Sequence, residues 1–433
     1  MKNWLKEKTS LLLKWYKENT ALLIVSFSIF FVPLIGTVPI GLGDVWYIQY
    51  LGLLSVFCFG IAFVVFRTNC FLSLFALLAW FSAIFIANQH PRAILALFQV
   101  ELSILAIHWV SKLNSRQRWN VLKTVFALFI LQAVWVILQF FNLDPIFNHF
   151  KHPEIDDTVG FSGSHNQIGL FFAQTAPLVL AICPYLLVFT AVGLFGSTTT
   201  TAFVGTVVSS LTYIYLTSRK KREMITLFSI LFIMAGIVFF TKFERLNSGV
   251  IRERSHLTAN TIADVEKGWV IMRGDGKRQD GYIVKKVTCN RWFGYGIGNF
   301  IRISPWTQSG YISNMTTTNK HLHHRYSHAH NDIIEVFFEF GRTGFFIIML
   351  LILDFLYGFI RSRKTKILNV TFCCVLAHLI CAQGIFTVHT AVSAMILIVM
   401  FGLYLGEYKE INSEQRTKSG KTRKVPWLVS WKT

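Results

Sequence analysis

Apolar residues in this 433-residue chain arrive in uninterrupted blocks about as long as a bilayer is thick, separated by short connections rich in Lys and Arg. A block of roughly 20 such residues can be satisfied in lipid only by a helix that closes its own hydrogen bonds. The blocks fall at 21–38, 45–66, 70–87, 93–110 and 121–141, then three between 166 and 217, then 224–240, 345–360, 367–386 and 391–406. Strict alternation of apolar and polar residues is absent, which argues against a membrane β-barrel. With 53% hydrophobic and 15% charged residues, a soluble globular fold is excluded. The expectation is an all-α polytopic membrane protein of about twelve transmembrane helices with one large external loop.

Charge sets the orientation. Lys2, Lys6, Lys8, Lys14 and Lys17 precede the first block and hold the N-terminus in the cytoplasm, and without a small-residue cleavage site that block stays as an anchor. Four crossings later Lys112, Arg116, Arg118 and Lys123 return the chain inside. The cluster Arg219-Lys220-Lys221-Arg222 asks for an odd number of crossings between 166 and 217, for which three short ones are preferred over one crossing plus a re-entrant pair. The organisation is then a cytoplasmic N-terminus at 1–20, nine helices over 21–240, the large loop at 241–343, three helices over 344–406 and a basic cytoplasmic tail at 407–433, expected to be disordered against anionic lipid. The net charge of +20 is explained by these inside connections and by the loop, so nucleic acid is not an expected partner and membrane lipid is. Seven cysteines show neither metal-type spacing nor a disulfide framework.

Polar groups concentrate where the loop meets the tenth block, in Ser327 to Gly344. Asn331 and Asp332 are capping residues, and Ile333, Ile334, Val336, Phe337 and Phe340 follow at helical spacing, which puts His330 just ahead of a helix N-terminus. An imidazole there can take a proton from a hydroxyl near neutral pH, beside a terminus that favours phosphate; a capping or surface histidine is the competing reading. Asp332, Glu335 and Glu339 share one face, which either orients His330 or stays wet. His321, His323, His324, His328 and His330 lack the cysteine partners and the H-E-x-x-H pattern of zinc sites, so no metal is expected. The loop is basic (Arg252, Arg254, Arg273, Lys277, Arg278, Lys285, Lys286, Arg291, Arg302, Arg325), which suits a diphosphate headgroup as a cluster, although any single arginine is better explained by a solvated loop facing acidic lipid. Phe293 to Phe300 alternates glycines without dinucleotide-loop spacing and reads as a tight turn at the membrane surface. Glu101 and Asp354 lie inside apolar blocks and should face the bundle interior; for Glu101 a structural hydrogen bond and a proton-coupled step are both open. Thr198 to Thr201 fit a helix bend better than a site.

Three motifs in order resemble the O-antigen ligase and O-antigen polymerase superfamily of bacterial envelope glycosyltransferases. They are Gly160-Phe161 followed by His165-Asn166-x-x-Gly169, then Phe293 to Phe300, then His330-Asn331 followed after nine residues by Gly341-x-x-Gly344, and the resemblance spans roughly 155–405. It implies a multi-pass protein of the bacterial inner membrane with a periplasmic loop and active site. It also implies transfer, without cofactor or metal, of a glycan from an undecaprenyl-diphosphate carrier to a hydroxyl of lipid A core or of another glycan. Carried over residue by residue, His330 is the base, Arg278 and then Arg273 hold the diphosphate, and Asn331, His328, His165 and Asn166 line the substrate site. Two departures stand out: Asp156, Asp157 and Thr158 where the family usually has an Arg, and Thr199, Thr200 and Thr201 where it often has Ser-Arg-Gly, which leaves Lys151 or Arg302 to substitute. The competing class is a lipid-linked glycan flippase or other transporter, which should show an internal repeat and midplane charges. A non-catalytic scaffold would leave His330 idle.

Overall fold

The computed structural model describes residues 51–66, 68–87, 91–141, 143, 165–197, 199–217, 250–273, 284–301, 303, 331–384 and 391–419. The blocks at 21–38 and 224–240 lie outside these residues, as do 1–20 and 420–433. The described helices are α1 Leu51–Phe66, α2 Cys70–Phe81 continued by a π-helical turn Ser82–Ile86, α3 Pro91–Ser111 and α4 Ser115–Phe140. After them come α5 His165–Ile182, a 3-10 turn Pro184–Leu186, α6 Leu187–Ser197 and α7 Thr200–Thr217. The last group is α8 Val250–Lys267, α9 Asp332–Arg361, α10 Lys366–Cys381 and α11 Ala391–Ser419. Four helical stretches, Arg92–Ser111, Ser115–Gln139, Asp332–Arg361 and Val392–Gln415, are long and apolar enough to cross a membrane, and further apolar helices are shorter.

The expected helices are present where described, with informative differences at their ends. The block from 166 to 217 forms three separate helices, though α6 with its leading turn is short. Helix α4 begins six residues ahead of the apolar block, because Asn114 and Gln117 form a reciprocal capping box that stabilises a polar first turn. The all-α expectation needs one addition: β1 Trp269–Arg273 and β2 Val284–Thr288 pair antiparallel, with Trp269 opposite Thr288 and Arg273 opposite Val284. The expectation that the chain is disordered from residue 407 is overturned as far as residue 419, because α11 continues unbroken and is tied down by charge. Arg118 Nη1 donates to Glu407 Oε2 at 2.5 Å and its other arm meets Glu410 at 2.6 Å, while Thr365 Oγ1 donates to Glu407 Oε1 at 2.8 Å. A buried guanidinium with this many partners outweighs the polarity of the tail.

Helix α10 lies in the middle of the bundle, packing against α7, α5 and α11, while α11 also covers α3 and α1 pairs with α2. Around α10 the interior mixes Leu, Phe and Val with many small hydroxyl residues, among them Thr371, Thr206, Ser209 and Ser210, all buried. Thr371, Thr206 and Ser209 donate back to carbonyls of their own helices, as Thr206 does to Ala202, so they let helices approach closely with their donors satisfied, whereas Ser210 Oγ has no partner among the described residues. Of the two acids inside the blocks, Asp354 Oδ2 accepts from Asn69 Nδ2 at 3.0 Å. Glu101 is fully buried with neither carboxylate oxygen hydrogen-bonded; the Cys58 thiol is a neighbour.

Helix ends sort onto two opposite faces. On one face meet the end of α2, the starts of α5, α7 and α9 and the end of α10, through contacts described below, and the start of α3, where Gly298 packs against the backbone of Arg92 and Ala93. The other face gathers Thr68 with His108 Nδ1 at 2.5 Å, the α3–α4 connection, Arg361, Ser362, Thr365 and Glu407. Lys112, Arg116, Arg118, Arg361, Arg363, Lys364 and Lys366 belong to that second face or to the connections that form it.

Candidate functional site

The site is built on the first part of α9. Asn331 is extended (φ −156°, ψ 109°) and its Oδ1 accepts from the N–H groups of Ile333 at 3.1 Å and Ile334 at 3.2 Å, the cap that the sequence calls for. Its Nδ2 faces the end of α10, donating to Gln383 Oε1 at 3.4 Å and the Gln383 carbonyl at 3.5 Å. The stronger tie is backbone: Asp332 N donates to the Ala382 carbonyl at 3.1 Å. His328 and His330 precede Asn331 in the sequence and lie outside the described residues.

From the end of α10 the contacts continue to α7 and α5. Cys381 Sγ donates to the Thr201 carbonyl at 3.6 Å, and Thr201 fills the space beside Gly384. Two residues earlier, the Thr199 hydroxyl lies 2.9 Å from Asn166 Oδ1 and 2.9 Å from the Ser197 carbonyl. Asn166 belongs to the first turn of α5, and His165 is the first residue of that helix. Two of the expected substrate-site residues, Asn331 and Asn166, thus sit at opposite ends of one run of contacts made by α10 and α7.

At its other end the first segment of α9 breaks. Gly341 has φ 63° and ψ −157°, inside what is otherwise one helix of 30 residues. The carbonyls released by the break are taken by the glycine turn: Tyr295 N donates to Phe338 O at 3.0 Å and Gly296 N to Glu339 O at 2.9 Å. Beyond the break the direction reverses, with Arg342 N donating to Arg291 O and Thr343 N to Trp292 O, both at 3.0 Å. Gly294, at φ 70°, passes so close that a Cβ there would come within 2.5 Å of Phe338 O. The turn also reaches α2, where Ile297 N donates to Ser82 Oγ at 2.9 Å within the π-helical turn. Phe300 N donates to Glu339 Oε1 at 3.2 Å, and Phe338 stacks on Tyr295 at 4.6 Å between ring centroids. The glycines therefore serve backbone-to-backbone docking, in agreement with the tight-turn reading. Glu335 and Glu339 are buried, which overturns the idea that their face is kept wet.

The rest of the loop hangs on this dock. Val265, Tyr295, Phe300, Ile303, Phe337 and Phe338 form a small core under α8, and the Tyr295 hydroxyl donates to the Asp264 carbonyl at 3.0 Å. Arg342 holds Glu266 with both arms, at 3.2 and 2.6 Å. Cys289 packs against this core, where burial first and then the Asp264 carboxylate push its thiol up from the usual range, so it is a poor nucleophile. Arg273 ends β1 opposite Val284, and Arg278 belongs to the connection 274–283, outside the described residues. Gln383 is not named by the sequence reading, Thr199 is read there as part of a helix bend, and Glu339 as part of the Asp332 face rather than as an acceptor for the glycine turn. Polar residues at helix starts or ends are the signal that marks Thr199 and Gln383; Glu339 has no local signal, because its partner is 39 residues away.

The architecture is that of an α-helical membrane protein with a polar site assembled at one end of its bundle. Residues 185–349 match the family described as O-antigen ligase, and the resemblance drawn from the three motifs is borne out by that match. The matched segment starts at the turn before α6 and includes both the glycine turn and the His330-Asn331…Gly341-x-x-Gly344 segment. It supports a membrane glycosyltransferase of O-antigen ligase or polymerase type, with a lipid-linked glycan and an acceptor as its general substrates. No curated protein matches the chain.

Proposed function

We propose that this chain moves a glycan from an undecaprenyl-diphosphate carrier to an acceptor hydroxyl at the periplasmic face of the bacterial inner membrane. The acceptor is a lipid A core sugar or the end of another glycan. The observation that carries the reading is the position of α9: its capped start is tied to the end of α10, which in turn meets the start of α7, while its break at Gly341 receives the glycine turn. Motif residues far apart in sequence thus converge on one helix segment of nine residues, Asp332 to Phe340.

The sorting of helix ends supports the orientation. Lys and Arg crowd one face, which under the positive-inside rule is cytoplasmic, and the site is on the other. Helices α2 and α10 end on the site face while α3, α5, α7 and α9 start there, which agrees with about twelve crossings once 21–38 and 224–240 are counted, with 241–343 as the periplasmic loop, 1–20 and 407–433 at the cytoplasmic ends, and α6 as the short return between α5 and α7.

In the reaction, His330 takes the proton of the acceptor hydroxyl as its oxygen bonds to the anomeric carbon, and the carbon–oxygen bond to the carrier diphosphate breaks. Arg278, assisted by Arg273, stabilises the departing diphosphate, whose negative charge needs fixed donors. Asn331, His328, His165 and Asn166 surround the reacting groups, and no metal takes part. The test is transfer by purified, reconstituted protein supplied with a diphospho-undecaprenyl glycan and candidate acceptors in EDTA, comparing wild type with His330→Ala of verified fold. Transfer in EDTA that collapses in the variant is expected. Equal transfer by both removes His330 as the base, and carrier movement across the bilayer without transfer to any acceptor replaces the enzyme by a flippase.

A further inference from the structure

We propose that Thr199 is a positioning residue that holds the Asn166 amide so that its N–H groups face an oxygen of the lipid-linked glycan. The inference rests on the glycosyl-transfer reading above and adds a residue to it, at a place where this chain departs from the family pattern.

The geometry begins with hydrogen-bond inventory. The Thr199 hydroxyl has one proton and lies 2.9 Å from two acceptors, Asn166 Oδ1 and the Ser197 carbonyl. Neither acceptor can donate, so the proton is shared in a three-centre bond, and the Asn166 amide is held by its oxygen. Its Nδ2 donates to no group among the described residues, which leaves two N–H donors directed away from Thr199. A pair of amide donors selects an oxygen acceptor: a sugar hydroxyl or ring oxygen, or a phosphate oxygen.

The packing leaves Thr199 little freedom. It is 8% exposed, and its carbonyl accepts from Phe203 N at 3.2 Å as α7 begins. Gly169, one turn into α5, faces Ser197 and Ala202 with no room for a larger side chain, which fixes the start of α5 against the start of α7. The position of Asn166 relative to Thr199 is therefore set by the close packing of Gly169 on the Ser197 and Ala202 side chains, and the hydroxyl decides only how the amide is turned. Through Thr201 and Cys381 this pair is tied to the end of α10, where the Ala382 carbonyl accepts from Asp332 N at the start of α9.

The experiment uses the full-length reconstituted protein and four variants: Thr199→Val, Thr199→Ser, Asn166→Ala, and Asn166→Ala with Thr199→Val. Valine keeps the shape and removes the hydroxyl. Loss of one oriented hydrogen bond corresponds to about a tenfold change, so Thr199→Val is expected to raise the KM for the lipid-linked glycan about tenfold, with kcat nearly unchanged. Thr199→Ser is expected to restore it, and Thr199→Val is expected to add nothing once Asn166 is Ala. Binding of undecaprenyl diphosphate lacking glycan is measured alongside: weakening in Thr199→Val assigns the contact to phosphate oxygens, and unchanged binding assigns it to the sugar. Wild-type KM in Thr199→Val, failure of serine to rescue at an unchanged unfolding midpoint, or additive losses in the double variant would each overturn the proposal. A wild-type protein that transfers no glycan removes the parent reading and this one with it, whereas a transferring wild type with an indifferent Thr199→Val removes this one alone.

Discussion

Gly294 and Gly341 meet backbone to backbone: a Cβ on Gly294 would stand 2.6 Å from the nitrogen of Gly341, and one on Gly341 would stand 2.6 Å from the nitrogen of Gly294. Both residues have positive φ, 70° and 63°. Two separate constraints, a left-handed backbone and contact without a side chain, therefore exclude any other residue at either position.

Gly294→Ala is accordingly expected to undock the turn. The left-handed conformation alone costs about 1–2 kcal/mol, and the collision with Phe338 O adds to it. Hydrogen exchange at the amides of Tyr295, Gly296, Arg342 and Thr343 should accelerate at least tenfold, and glycan transfer should fall in parallel. Native protection in Gly294→Ala would show that the turn is held by something other than this approach.

The cap at Asn331 can be separated from its side-chain contact with α10. Asn331→Ala removes the Oδ1 acceptor used by Ile333 and Ile334 and should cost about 1 kcal/mol. Asn331→Asp keeps an acceptor there but loses the Nδ2 donor that faces Gln383. Thermal unfolding should therefore show a drop for Ala and little change for Asp. Transfer by the Asp variant then reports the amide alone; equal midpoints for wild type and Ala would remove the cap as a stabilising feature.

Much of this fold is legible from residue types, and the exceptions share a physical cause. Block length and charge placed most of the described apolar helices to within a few residues, but not the amphipathic α8, which lies in a stretch read as loop; the start of α9, 13 residues ahead of its block, followed from the Asn331 cap before an apolar period. Hydropathy ends a helix where polarity begins, so it lost the first turn of α4 and the last residues of α11, although Asn114 and Gln117 spell a capping box. The partners of Arg118 and Glu339 are distant in sequence, 289 and 39 residues away, and nothing local announces them. The break at Gly341 is of the same kind, because a glycine within a helix does not reveal that another loop will take its neighbours' carbonyls. Of the candidate site, the structure describes Asn331 and Asn166 with their partners, while His330, His328 and Arg278 rest on the motif resemblance.

Two ion pairs of similar length should contribute very differently. Arg342 and Glu266 are 44% and 39% exposed at 2.6 Å, a setting in which water screens the pair and about 1 kcal/mol or less is expected. Exchanging the two charges, Glu266→Arg with Arg342→Glu, should leave the unfolding midpoint within a few degrees. A large loss would mean that the arginine does more than pair with Glu266.

Arg118 and Glu407 present the opposite case, at 4% and 9% exposure and 2.5 Å. Glu407→Ala leaves Arg118 buried with the Leu113 carbonyl and, as its counter-charge, Glu410, whose side chain is 41% exposed, and removes the acceptor of the Thr365 hydroxyl. Breaking a buried pair from one side costs about 3–5 kcal/mol, whereas replacing both members with apolar groups of similar volume is often nearly neutral. Glu407→Leu combined with Arg118→Met should therefore unfold at a higher temperature than Glu407→Ala alone. The reverse order would show that the charges are needed at this face in their own right, most simply because Arg118 helps to fix the cytoplasmic orientation of the α3–α4 connection during insertion, and a topology reporter placed after Arg118 would then change sides in the double variant.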